Sequence, residues 1–420
     1  MDGVILEEIE INKNRVDYRF RCKGEVSKYF TTNSMYIEYN NIDLSDVPNS
    51  ILAIPFVSSI LPLMWLTNTV LWVKDIDQTF YNALYRIKEA YQNIYNYYPF
   101  KGNFVPSKIT KNVYLPQREC LLLYSGGIDA NTTYIRNIEK NPLLLNIQGW
   151  YKNPQEKNKA AESDFEFVKD FAKREQRDYA LAKSNFAVLI NDYVFNKKIK
   201  PRLKDSWWHG FQHSMSFISI AIVAAYIEKI QNVYIASSVP IGEYVPCASY
   251  ITTDSEFKFA EVGGCVHDGS ELTRQDKVRV IVNYAEKEKT EYPLKVCSFN
   301  DINCCKCDKC FRSILGIVAE GGDVRKYGFE NIDGSLYQHF GNLMKNEIIK
   351  FNVSGEGSLH WPAIKKRMKE NYDSIADKQF VEWFLNYDFV GEKKKAVIKY
   401  RIKNFHKIIY RRIKNIIEQK

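Results

Sequence analysis

The stretch whose residue types and spacing most plainly suit chemistry reads LLLYSGGIDANTT, residues 121–133. An aliphatic run, Leu121, Leu122, Leu123 and Tyr124, stops at Ser125-Gly126-Gly127, and Asp129 follows two residues on. So short an apolar run suits a strand buried on both faces of a parallel sheet. Two glycines let the chain turn sharply and bring backbone N–H groups against a ligand, because no Cβ intervenes. A helix expected over 132–139 adds an N-terminal dipole and unpaired N–H groups that favour an anion. Together these make a phosphate cradle. It has neither the Walker form, with no Gly-Lys-Ser/Thr following, nor the G-x-G-x-x-G dinucleotide form.

A second concentration of chemistry is VCSFNDINCCKCDKCFR, which holds five of the nine cysteines. Cys304, Cys307 and Cys310 form C-x₂-C-x₂-C, and Cys297 lies seven residues before Cys304. Four such thiolates suit a closed tetrahedral site, with no position left for a catalytic water. Cys305 falls where a glycine would help the turn and reads as a bystander. An iron–sulfur cluster or redox thiols are the alternatives to zinc. The opening MDGVILEEIE lacks the basic-then-apolar start of a secretory signal, so a cytoplasmic, reducing compartment is expected. There, clustered cysteines point to metal rather than to disulfides.

With these residues in place, SGGIDA resembles the SGGxDS loop of the PP-loop ATP pyrophosphatase superfamily. The cysteine run is similar to the C-x₇₋₈-C-G-x-C-x₂-C zinc site of 7-cyano-7-deazaguanine synthases within it, and Arg312 to the basic residue that follows that site. The resemblance spans residues 119–320 and implies an adenine nucleotide alpha-hydrolase-like fold. It implies that Tyr124, Ser125, Gly126, Gly127, Ile128, Asp129 and Ser237 contact ATP, with Mg²⁺ at Asp129. Lys277, in LTRQDKVRVI, resembles a lysine that points to phosphate, where it would neutralise departing pyrophosphate. Cys297, Cys304, Cys307 and Cys310 would hold Zn²⁺. Ala130 stands where the family carries its final serine. The implied chemistry is adenylation of a carboxylate or amide oxygen, then C–N bond formation by an amine or ammonia. Sulfur transfer to tRNA or a small molecule, and a non-catalytic nucleotide sensor, are the other readings.

The elements that must position these groups alternate along 119–318: strands at 119–124, 143–149, 179–183, 233–238 and 294–297, helices at 161–174, 211–231 and 275–286. Repeated βα units imply an α/β fold, a doubly wound parallel sheet that binds ligands beyond its strands' C-terminal ends. Near that edge lies Asp205-Ser-Trp-Trp-His-Gly-Phe-Gln-His213, where His209 and His213 could meet substrate and Trp207 or Trp208 could stack on a ring. A packed aromatic corner is the competing reading. Residues 247–271 carry Asp254, Glu261 and His267; Asp254 could bind a base or amine of the acceptor, or the stretch could be surface loop.

Domain boundaries are expected at 118/119, 320/321 and 392/393. The first region is read as α+β, with strands at 15–22 and 35–39 and a helix at 80–97. Its uncharged run 47–73 is long enough to span a membrane, yet Pro55, Pro62 and several hydroxyl residues favour a buried core segment. Residues 321–392 are expected to be mostly helical, with a helical stretch near 363–383. The net charge of +9 belongs to the end of the chain: residues 393–420 carry eleven Lys/Arg against Glu418 alone, leaving the remainder near −1. Within that tail Ile398, Ile402, Phe405, Ile409, Ile413 and Ile416 form one helical stripe. Such a helix suits an anionic membrane surface on the inner face, or docks on the protein itself. Nucleic acid fits less well, because aromatic residues are not interleaved as a stacking platform. A small molecule or a protein end is the expected acceptor, and a homodimer is left open.

Overall fold

A computed structural model of the chain describes residues 2–150, 154–242, 246–297, 302–347 and 356–406. The chain divides into two compact units, Met1–Lys277 and Val278–Lys420.

The first unit is built on one eleven-stranded sheet in the order β10-β11-β9-β6-β7-β8-β3-β2-β1-β4-β5. Its strands are β1 (Gly3–Asn12), β2 (Arg15–Lys23), β3 (Ser34–Tyr39), β4 (Val70–Asp77), β5 (Asn103–Thr110), β6 (Arg118–Leu123), β7 (Leu143–Gln148), β8 (Tyr179–Ser184), β9 (Ile230–Ala236), β10 (Lys258–Phe259) and β11 (Gly263–Asp268). Six neighbouring pairs are parallel and four antiparallel, so the sheet is mostly parallel. Within the parallel block β11-β9-β6-β7-β8, sequence order reverses between β6 and β9. Ligands of open α/β sheets bind at such a reversal.

Helices of this unit are α1 (Asn49–Thr67), α2 (Gln78–Ile94), α3 (Ile128–Arg136), α4 (Pro154–Arg174), α5 (Asp192–Lys198), α6 (Lys200–Leu203), α7 (His213–Ile227) and α8 (Ile251–Asp254). Most of the uncharged run is α1, buried from Ser50 to Leu66, and its last four residues open β4. Helix α1 packs on α7, where Ser59 and Ser216 share a hydrogen bond of 3.2 Å. Tyr18 of β2 donates to the Leu52 carbonyl of α1 (2.8 Å), and Tyr39 of β3 to the Ile220 carbonyl of α7 (2.7 Å). Among the described residues, two stretches, α1 and Trp208–Ile227, are long and apolar enough to cross a membrane, and 94% and 78% of their apolar 18-residue windows are buried inside the structure.

The division of the chain differs from the sequence expectation. Strands from residues 1–118 join the same sheet as the βα units, because β3 pairs antiparallel with β8 at Ile37↔Ser184, Glu38↔Lys183 and Tyr39↔Ala182. This pairing covers an edge that β8 would otherwise expose. The expected strand at 294–297 has no ladder partner and is irregular. The 247–271 stretch is not a surface loop but carries α8, β10 and β11.

The second unit is helical: α9 (Arg274–Glu288), in which the boundary falls, then α10 (Asp308–Ala319), α11 (Leu336–Glu347), α12 (Glu356–Glu370), α13 (Lys378–Asn386) and α14 (Phe389–Lys403). The helical stretch expected near 363–383 is covered by α12 and α13. Phe311, Phe340, Trp361, Phe380 and Phe384 make its aromatic core, with Phe311 and Phe340 ring centroids 4.5 Å apart. Arg367 closes a forked ion pair on the buried Glu320, at 3.0 and 2.6 Å.

Asp77 ties distant parts of the first unit together. Its fully buried carboxylate accepts from Phe80 N (2.9 Å), Asn112 Nδ2 (2.9 Å) and Ala260 N (3.0 Å). Asp77→Ala strands the buried Phe80 and Ala260 N–H groups, leaves Asn112 Nδ2 only Ser50 Oγ and Thr110 O, and removes the α2 cap, so it is expected to destabilise by about 3 kcal/mol. Denaturant unfolding followed by tryptophan fluorescence checks this; a shift below about 1 kcal/mol would mean that water replaces the carboxylate.

Candidate functional site

The glycine turn lies at the C-terminal end of β6, on the side where the strand order reverses. The helix expected from residue 132 begins earlier, at Ile128, so the turn runs straight into the N-terminus of α3. Gly126 has φ +77°, a conformation that costs glycine nothing. Gly127 is the N-cap and has no side chain to close the helix, leaving its first N–H groups facing outward from the turn. Asn131 holds the loop from beneath. Fully buried, it donates to the Gly126 and Gly127 carbonyls (2.7 and 2.9 Å) and accepts from Tyr124 Oη (2.7 Å). Pinning both carbonyls inward leaves the opposite side of those peptides to a ligand.

Ser125 is exposed at the turn, whereas Tyr124 and Ile128 are buried beneath it. Tyr124 packs on Phe171 at 4.7 Å, and its carbonyl accepts from Asn146 of β7 at 2.8 Å. Ala130 is a buried methyl group. Ser237 follows β9, fully buried; its hydroxyl donates to Val239 O at 2.8 Å, and its carbonyl accepts from Lys277 Nζ.

Asp129, in the first turn of α3, faces two cations from α9. Arg274 donates to Oδ2 in a close contact, and Lys277 Nζ lies 3.4 Å from Oδ1. Oδ1 itself accepts no hydrogen bond. Burial pushes the Asp129 carboxyl up, but Arg274 and Lys277 outweigh it and hold it below the usual carboxylate range. Burial likewise draws Lys277 down from the usual ammonium range, against the pull of Asp129. Thr132 Oγ1 donates to the Lys277 carbonyl at 3.1 Å, fastening α3 to α9. The sequence reading missed Arg274, although it sits one helical turn before Lys277, where the same face must carry both (i, i+3). It also missed Asn131.

A second polar group surrounds the start of α7. A π-helical turn over Trp208–Gln212 precedes that helix. His209 meets both Asp205 oxygens through Nδ1 at 3.0 Å, and Tyr95 Oη donates to the same carboxylate at 2.8 Å. Burial raises the Asp205 carboxyl, but the His209 and Tyr95 hydrogen bonds bring it below the usual range. His213 Nδ1 lies 2.9 Å from the Trp208 carbonyl and its Nε2 lies 3.7 Å from Cys247 Sγ; burial pushes its imidazole down. Trp207 is buried and stacks on Phe211 at 5.9 Å, while Trp208 stacks on Phe186 at 6.2 Å. The aromatic corner is therefore packed, with His209 half exposed beside it. Asp254 is fully buried, accepting from Ser249 (2.6 Å), Ser214 and His267 Nδ1 (2.8 Å). Its carboxylate is thus engaged inside the protein, and Glu261 is exposed and paired with Lys111 at 2.6 Å.

In the second unit, Cys297, Cys304, Cys307 and Cys310 form a site that could hold a metal ion. Their four sulfurs all lie within 4.8 Å of one another, and Cys304 and Cys310 Sγ are 3.9 Å apart. Zinc–sulfur bonds of about 2.3 Å at tetrahedral angles require sulfur separations of about 3.8 Å, so the set is compatible with zinc. Backbone N–H groups of Lys306 and Cys310 point at the Cys304 and Cys307 sulfurs (3.4 and 3.5 Å), orienting both ligands. The Cys307 thiol is pushed up to about 12, first by its hydrogen bond with Cys297, and Cys310 is raised by Cys297 and Cys307. A cation would take the place of the protons these thiols share. Arg312 lies on α10, two residues beyond Cys310.

Two buried side chains unforeseen in sequence shape this loop. Asn303 accepts from Val296 N (3.0 Å) and Cys297 N (3.2 Å) and donates to Leu294 O (2.8 Å) and Gly328 O (3.0 Å). His339 Nε2 lies 2.9 Å from the Cys305 carbonyl. Cys305 stays outside the cluster and adopts φ +54°, the backbone conformation for which glycine was expected.

No family model matches the chain, and no curated protein matches it.

One zinc per chain is expected by elemental analysis, lost in Cys304→Ser, Cys307→Ser or Cys310→Ser and kept in Cys305→Ser. Chelation should lower the thermal transition of the wild type and leave those three variants unmoved. A Cys305→Ser protein without metal would show that the ligand set is misassigned.

Proposed function

We propose that the chain is an ATP-dependent adenylating enzyme of the PP-loop kind, with a doubly wound nucleotide-binding sheet and a structural zinc site. One observation carries the reading: two cations, Arg274 and Lys277, converge at the uncapped N-terminus of α3 directly after the glycine turn. Outward N–H groups, a helix dipole, the buried Lys277 and the largely buried Arg274 suit a polyphosphate. The strand order β11-β9-β6-β7-β8, which reverses beside the turn, is compatible with a doubly wound sheet and supports the same site.

In this reading the turn binds the ATP phosphates, with Ser125 at its open side. Asp129 Oδ1, which accepts no hydrogen bond, is the oxygen that fits a Mg²⁺ arriving with the nucleotide. The ion would supply charge neutralisation at phosphate oxygens. Attack on the α-phosphate by a carboxylate or amide oxygen of the substrate releases pyrophosphate, whose growing charge Lys277 and Arg274 offset. An amine or ammonia then displaces AMP. His209, half exposed and oriented by Asp205, is the side chain this reading assigns to meet the acceptor.

The non-catalytic sensor is the second reading, favoured by the engagement of Asp129 with both cations and by the methyl group at Ala130. Turnover separates the two. Wild-type protein given ATP, Mg²⁺ and a small-molecule and peptide extract should release AMP and pyrophosphate, falling at least about 100-fold in Asp129→Asn and Lys277→Gln. Production of ADP would overturn adenylation, and ATP binding without any turnover would favour the sensor. Arg274→Gln should also weaken ATP binding by about 10-fold, measured calorimetrically.

A further inference from the structure

Sequence left two readings of the basic tail, a membrane-facing helix or a helix docked on the protein. In the described part of α14 and the three residues after it, Ile398, Ile402 and Phe405 are 58%, 72% and 63% exposed. Spaced four and three residues apart, they share one face, so the apolar stripe is turned to solvent. Lys394, Lys399, Arg401 and Lys403 are also exposed, with Lys399 and Arg401 on opposite sides of the stripe. Among the other exposed large apolar residues of the described chain, Tyr85, Tyr193 and Ile302 lie on separate elements or loops, and Val105 and Ile109 share a face of the edge strand β5 only as a pair. Three large apolar groups on one exposed helical face have a cost in water that a partner must relieve.

We infer that α14 docks on an anionic lipid surface, inserting Ile398, Ile402 and Phe405 while the flanking lysines and arginines meet lipid phosphates. Charge complementarity selects this occupant. A protein partner would be matched mainly by the stripe, whereas here the basic residues flank it on both sides and the segment 393–420 carries only Glu418 as an acid. An apolar face bordered by cations is the pattern of helices that lie in the plane of an interface. Each basic residue near a negatively charged leaflet adds attraction that salt screens. Aromatic rings do not alternate along the stripe as a base-stacking platform would need, which separates it from a nucleic-acid groove. The inference is independent of the adenylation reading.

Sedimentation of the full chain with phosphatidylcholine vesicles, with and without phosphatidylglycerol, tests it. Binding is expected only to the anionic vesicles, weakening as salt rises. Ile398→Ser/Ile402→Ser/Phe405→Ser should reduce it at least about 10-fold with an unchanged thermal transition. Lys399→Glu/Arg401→Glu/Lys403→Glu, which leaves the stripe intact, should do the same. No binding to anionic vesicles, or equal binding by the serine variant, would overturn the inference. So would a concentration-dependent dimer that the serine variant abolishes, which would assign the stripe to a second copy of the chain.

Discussion

The carboxylate of Asp129 balances two buried cations, and the arrangement of the turn depends on that balance. Lys277 is almost wholly buried and Arg274 largely so, and holding both positive charges there without a counter-ion would be costly. Asp129 is suited to the task because it sits in the first turn of α3, where the helix dipole favours an acid. The consequence is competition. An anion entering the turn offers the same cations a new partner, so Arg274 and Lys277 must divide their attention between Asp129 and the newcomer. A divalent cation brought with that anion would compensate Asp129 in turn. The triad therefore permits an exchange of partners without leaving a bare charge at any stage.

How much of this was legible in sequence differs element by element. The strand and glycine turn at 121–127 were legible because a buried parallel strand and a double glycine are local signals. The cysteine ligands were legible from spacing, and even the glycine-like conformation of Cys305 followed from where the turn had to bend. Asn131 and Asn303 were not, since what distinguishes them is which carbonyls they reach, and several of those lie on other segments. Arg274 was hidden in an ordinary charged helix start. The burial of Asp254 was not legible for a related reason: a polar stretch looks like surface until β11 brings His267 beneath it and the partners close around its carboxylate.

The joining of the first 118 residues to the sheet was the least legible feature of all. An edge pairing such as β3 with β8 leaves almost no trace in either strand, because register depends on the partner as much as on the strand. The run that forms α1 was ambiguous for the opposite reason. Being apolar all round, it announces burial without saying in what, and only α7, itself apolar all round, resolves it as protein interior.

That pairing has a consequence for how the chain is made. Ser59 of α1 and Ser216 of α7 are 157 residues apart. At about 5–20 residues per second, α1 leaves the ribosome roughly 10–30 s before its partner is synthesised. For most of that interval the face of α1 that packs on α7 and the edge of β3 that pairs with β8 lack their partners. Synthesis of this protein thus includes an obligatory waiting period, in which the nascent chain has every physical reason to be sheltered by a chaperone.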